Sequence, residues 1–153
     1  LTAFGQTKPP TEKNLRIVFK NAFKQAKNAG LKWSRWTACN LDSSFYKRDT
    51  IKLVSDENYF FNNNCSKTAE LTFSSSRNFT LQNVQGHEDV FSITVGTGSN
   101  HYKLSFTKSD HFPLIIFTND SSKDKMKFKV ISMDSLALPY KRNLTILKLV
   151  RSK

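Results

Sequence analysis

Leu15, Val18, Phe19, Ala22, Phe23 and Ala26 recur at intervals of three and four residues, which gathers them on one face of a 3.6-residue period. Thr11 stands ahead of them as an N-cap, with Glu12 in the first turn and Asn14 close behind, and Gly30 follows as a natural stop. The pattern predicts an amphipathic helix over residues 11–29. Ahead of it, Gly5, Pro9 and Pro10 mark residues 1–10 as an extended lead-in.

After Trp36 the period changes from 3.6 to 2. Ile51/Leu53, Leu71/Phe73, Phe79/Leu81, Phe91/Ile93/Val95, Tyr102/Leu104/Phe106 and Met126/Phe128/Val130 each alternate with polar neighbours. Turn-forming clusters at 55–58, 74–78, 96–100 and 119–122 separate them. Leu114–Phe117 is apolar on both faces, as an interior strand would be, and residues 144–150 are readable as a last strand or a short helix. Short half-buried strands joined by tight turns describe an antiparallel meander that closes on itself. The expectation is an all-β fold: a small antiparallel barrel of about eight strands with one N-terminal amphipathic helix. A cystatin-like open sheet uses too few strands for this length, and a β-trefoil has no place for the long helix. The chain is expected to be a single domain, residues 1–153, with the β-meander or barrel over residues 45–150.

Composition narrows the class. Hydrophobic residues make up 38% of the 153-residue chain, enough for a core, and 13 of them are Phe. Five Gly and four Pro exclude collagen-like and Pro/Gly-rich disordered chains. No apolar run is long enough for a membrane-spanning helix. Residue 1 is Leu, with no charged n-region and apolar h-region ahead of it, so the chain is read as a mature, processed form or as one from which a targeting segment has been removed.

Cys39 and Cys65 form neither a CxxC nor a zinc-ligand set. Four sequons begin at Asn64, Asn78, Asn119 and Asn143. An even cysteine count with several sequons favours a secreted, extracellular glycoprotein with one Cys39–Cys65 disulfide. Two buried free thiols in a cytosolic domain are the competing reading. A bond closing a loop of this size stabilises by roughly 3 kcal/mol in the chain-entropy model.

The net charge of +12 is unevenly spread: +7 over residues 1–41, −2 over 42–122 and +7 over 123–153. Lys13, Arg16, Lys20, Lys24 and Lys27 follow one another by three or four residues and form a single helical stripe. Lys125, Lys127 and Lys129 alternate with Met126, Phe128 and Val130, so all three point to the solvent face of one strand. Like charges at i, i+4 cost a helix a few tenths of a kcal/mol per pair. These eight residues are the candidate anion-binding surface, for sulfated glycosaminoglycan or anionic lipid head groups. A solvated face that merely keeps the chain soluble is the bland alternative. Nucleic acid is disfavoured, because the aromatics alternate into the core and leave no stacking platform.

The stretch His101–Ser132, HYKLSFTKSDHFPLIIFTNDSSKDKMKFKVIS, resembles the late-strand region of lipocalins. Ser109-Asp110-His111-Phe112 occupies the place of their Thr-Asp-Tyr-type turn, and Pro113–Phe117 that of the very apolar strand after it. Gly30-Leu-Lys-Trp33 is similar to the Gly-x-Trp that opens their first strand, with one residue too many. The amphipathic helix ahead of it is similar to salivary lipocalins of blood-feeding arthropods. The resemblance covers about the last two-thirds of the chain. It lacks the usual C-terminal helix and a matching cysteine pattern.

That resemblance implies a carrier that sequesters a small apolar or amphipathic mediator inside a barrel. By parity the lumen is lined by Phe73, Phe79, Phe91, Phe106 and Phe128, with Tyr102 supplying a hydroxyl. A filled core is equally compatible with parity. The chain is then a surface-acting effector, vasoactive, anti-haemostatic or cytokine-like, without a small ligand. Under either reading it is expected to be a monomer without a cofactor.

Catalysis finds little support. His87, His101 and His111 are scattered, and His87-Glu88-Asp89 and Asp110-His111 read as loop pairs. No nucleophile elbow, zincin helix motif or P-loop is present. The expectation is no enzyme, no catalytic residue and no metal site.

Overall fold

A computed structural model describes residues 9–56, 58–87, 90–94, 100–138 and 142–153. Its elements run α1 (Glu12–Asn28), β1 (Ser34–Cys39), a 3-10 turn (Leu41–Ser43), α2 (Ser44–Lys47), β2 (Thr50–Val54), a second 3-10 turn (Phe61–Asn63), β3 (Lys67–Phe73), β4 (Asn78–His87), β5 (Val90–Thr94), β6 (His101–Thr107), β7 (Leu114–Asn119), β8 (Lys125–Leu138) and β9 (Arg142–Ser152). Residues 1–8 of the expected lead-in, Val95 and most of the turn at 96–100 lie outside the described residues.

The helix forms where the pattern places it, and both ends are capped locally. The Thr11 hydroxyl accepts from the Asn14 N–H at 3.1 Å, while the Thr11 N–H donates to Asn14 Oδ1 at 3.0 Å. This is a capping box with Asn in the position usually taken by Glu or Gln. At the other end the Gly30 N–H donates to Lys27 and the Leu31 N–H to Ala26, the two bonds of a Schellman motif. The motif needs a left-handed residue, and Gly30 supplies it at φ +81°.

Eight strands close into an antiparallel barrel. Neighbours around the ring are β1, β2, β9, β8, β7, β6, β4 and β3, with β3 returning to β1. β5 stands outside it, paired to the upper half of β4 from Asn83 to His87, whereas β6 takes β4 at Asn78–Thr80. Residues 144–150 belong to a strand, which settles the open choice there against a helix.

With β5 set aside, the order is a plain meander only from β3 onward. β1 sits between β2 and β3, so the connection over residues 55–66 must cross the outside of β1. A second, smaller core holds that crossing down: Val54, Phe60, Cys65 and Leu144, with Cys39, Tyr59 and Ile146 against them. The Cys39–Cys65 disulfide lies in this cluster, with 6.0 Å between Cα atoms. Thr37, which points outward from β1, donates its hydroxyl to the Asp56 carbonyl at 2.6 Å.

The main core fills the barrel. Trp36, Ala38, Leu53, Leu71, Phe79, Phe117 and Leu147 are among its fully buried members, with Leu15 and Phe19 of α1 and Phe45 of α2. α1 packs on β1 and β6.

Candidate functional site: barrel interior and basic exterior

Parity placed Phe73, Phe79, Tyr102, Phe106 and Phe128 toward the interior. The structure buries Phe73, Phe79 and Phe128 there and leaves Tyr102 and Phe106 half-buried against the same core. Phe91 is on β5, and its side chain lies outside the described residues. These rings touch one another. Phe73 and Phe79 are 4.9 Å apart between centroids, Phe79 and Phe117 5.1 Å, and Phe117 and Phe128 5.6 Å. Tyr102 stacks on Phe79 at 5.5 Å.

Both ends of this series meet a helix. Phe19 enters where β1 begins and β3 and β6 finish, lying 5.6 Å from Phe73 and 5.8 Å from Phe106. Phe45 enters from the opposite end, where β1 finishes and β2 begins, and lies 6.3 Å from Phe128. The Arg151 guanidinium lies 4.9 Å from the Phe128 ring centroid and donates to the carbonyls of Phe45 and Arg48. A continuous aromatic series therefore runs from α1 to α2 through the barrel. Sequence reading missed Phe45 because a four-residue helix leaves no periodicity to detect.

Above the α2 plug the inward side chains turn polar. A cleft of about 250 Å³ is lined by residues that include Asn40, Asp42, Ser43, Lys67, Asn83 and Gln85. Asn40 organises its floor. Its Oδ1 accepts from the Phe45 N–H at 3.1 Å, and its Nδ2 donates to Asn83 Oδ1 at 3.1 Å. The Tyr46 hydroxyl approaches the same Asn83 oxygen at 3.4 Å. Desolvation pushes the Tyr46 phenol above its ordinary value, Tyr102 adds to the rise, and the bond to Asn83 opposes it. Asp42 and Ser43 are successive left-handed residues, φ 54° and 61°, a conformation that non-glycine side chains seldom adopt.

The basic residues divide into two groups. Lys13, Arg16, Lys20, Lys24 and Lys27 are all exposed on α1. Arg16 is already engaged: it bonds Glu12 at 2.6 Å and lies 5.3 Å from the Phe106 ring centroid. Lys27 lies 5.6 Å from the ring of Phe23. On β8, Lys125 and Lys129 are exposed and Lys127 half-buried, with Phe128 and Val130 buried on the other face. The helix touches β6, and β8 lies two strands farther round the barrel.

The sequons differ in access. Asn64, Asn78 and Asn143 are exposed, whereas Asn119 is 7% exposed. Its Oδ1 accepts from the N–H groups of Ser121 and Ser122 at 2.9 and 3.0 Å. Among the described residues, no three His, Cys, Asp or Glu side chains lie close enough to share a metal ion. No helix among them is long and apolar enough to cross a membrane. Comparison with protein-family models, curated proteins and solved structures finds no match.

Proposed function

We propose that the chain is a secreted, non-enzymatic binding protein that acts through its surface, with a basic anion-binding exterior around an aromatic-filled barrel. The observation that carries this reading is the ring series from Phe19 through Phe73, Phe79, Phe117 and Phe128 to Phe45, which occupies the space a lumen ligand would need. Small-molecule sites usually take about 300–1,000 Å³ of mostly apolar space. The polar cleft above α2, at about 250 Å³, is a poor match for an apolar mediator. The disulfide supports an oxidising compartment.

Native mass spectrometry of the protein purified from a secreting cell tests the choice. A mass equal to the polypeptide plus glycans is the expected result. A stoichiometric co-purifying small molecule instead supports the lipocalin-like carrier and overturns the filled-barrel reading. Retention on a heparin column at physiological salt tests the anion-binding part separately.

A further inference from the structure

Strand register adds lysines to the three on β8. On the outer face of the sheet, Lys103 of β6 pairs with Thr118, and Thr118 pairs with Lys125. Ile116 pairs with Lys127, and Lys127 with Ser152. Lys129 stands between Leu114 and Val150, and Val150 pairs with Thr50. Lys148 stands between Ser132 and Lys52. None of the residues in these four rows is acidic. None of the six lysines makes an ion pair among the described residues.

We propose that Lys103, Lys125, Lys127, Lys129, Lys148 and Lys52 form a binding track for a linear sulfated polysaccharide. The proposal rests on the anion-binding reading above and moves its site from the helix to the sheet. Same-face residues along a strand are about 6.8 Å apart and neighbouring strands about 4.8 Å. The lysines descend β8, step across to β9 and reach β2, so the track is one side chain wide and roughly 40 Å long, measured along strands and rungs.

Stability gives no reason for this arrangement. Lys52 and Lys148 are directly opposite in an antiparallel pair, where like charges destabilise. A solvated face would tolerate Glu or Thr at any of the six positions. The shape selects among polyanions. A narrow diagonal line on a convex barrel follows a linear chain and meets a flat bilayer at few points. None of the exposed large apolar side chains lies in the rows to enter hydrocarbon. No aromatic residue lies in the rows either, so bases would have nothing to stack on.

The test compares two triple variants that lose the same charge. One is Lys127→Gln, Lys129→Gln, Lys148→Gln on the track; the other is Lys20→Gln, Lys24→Gln, Lys27→Gln on the helix. Binding of a fluorescein-labelled heparin oligosaccharide is measured across a salt series. Circular dichroism melts check that both variants fold. The track variant should lower the slope of log affinity against log salt by about two to three, by the counterion-release logic of polyelectrolytes. The helix variant should change it by less than one. Equal losses would overturn the track, because only net charge would then matter. A larger loss in the helix variant would overturn it too, while leaving an anion-binding exterior in place. A wild-type protein that ignores heparin would remove both readings. Tighter binding to phosphatidylserine vesicles than to heparin, lost in the track variant, would assign the surface to a membrane.

Discussion

The ring of Phe19, carried by the N-terminal helix, stacks on Trp36 of β1 with 4.4 Å between centroids and 28° between planes. This contact, with those to Phe73 and Phe106, makes α1 the stopper of one barrel end. Truncation to Ala should remove the ring and leave a cavity that rigid strands cannot collapse. The expected cost is about 3–5 kcal/mol of unfolding free energy. Ile17, one turn face away and 44% exposed, should tolerate Ala within ~0.5 kcal/mol. Urea denaturation of both variants checks the contrast. Equal midpoints would mean that the helix does not seal the core.

Cys39→Ala with Cys65→Ala should cost about 2–4 kcal/mol, since the bond closes a 26-residue separation. The loss should concentrate on the 55–66 crossing. Hydrogen exchange should speed up around Phe60 and Thr37 more than along β6 and β7. Uniform acceleration across the barrel would show that the staple acts globally instead.

The Tyr46 phenol should ionise above the ordinary tyrosine value. Its phenol is neutral when protonated, and folding raises its pKa. The folded state therefore holds the proton more tightly than the unfolded chain does. Its contribution to stability is present in full below the unfolded value and fades as pH rises through the folded one. Ultraviolet titration of wild type against Tyr46→Phe should show the loss of a phenolate transition that lies above the ordinary tyrosine value. Loss of an ordinary transition instead would mean that partial desolvation and Tyr102 do not raise the Tyr46 phenol as described.

Glycan mapping of protein from a eukaryotic secretory host should find Asn119 unmodified. Asn119 is buried, and its carbonyl holds the β7–β8 turn through Ser121 and Ser122. Asn119→Gln should cost about 1 kcal/mol or more, because the longer side chain cannot keep both short bonds. Full occupancy at Asn119 would show that the turn forms after glycosylation.

The helix was legible because its caps and its periodicity agree over a single continuous segment. The alternating strands β6 and β8 were legible for a similar reason, one face being wet, and β3 because its outward side chains are polar though largely covered. β1 was not. Trp36 and Ala38 face the main core, while on the other face Cys39 packs on the smaller one and Thr37 is buried beside Asp56, so both faces are apolar or buried and no alternation survives. The strand order was hidden because the crossing over β1 is held by Phe60 and Cys65, whose partners Cys39 and Leu144 are distant in sequence. The basic surface was half legible. Lys125, Lys127 and Lys129 share a strand, but Lys52 and Lys148 meet only through a pairing between segments nearly a hundred residues apart. The barrel filling rests on Phe45, whose neighbours in the chain give no hint that it reaches Phe128.

The position of β9 between β8 and β2 sets the timetable of synthesis. A nascent chain leaving the ribosome can wind α1 and bring Cys39 to Cys65 before β8 and β9 have been made. It cannot shut the ring, because β2 touches β1 at a single rung, Thr37 to Val54, and takes its remaining partners from residues 146–150. The barrel therefore closes only once β9 has been made and has paired with both β8 and β2. Until then the apolar insides of the finished strands face whatever chaperone accompanies them.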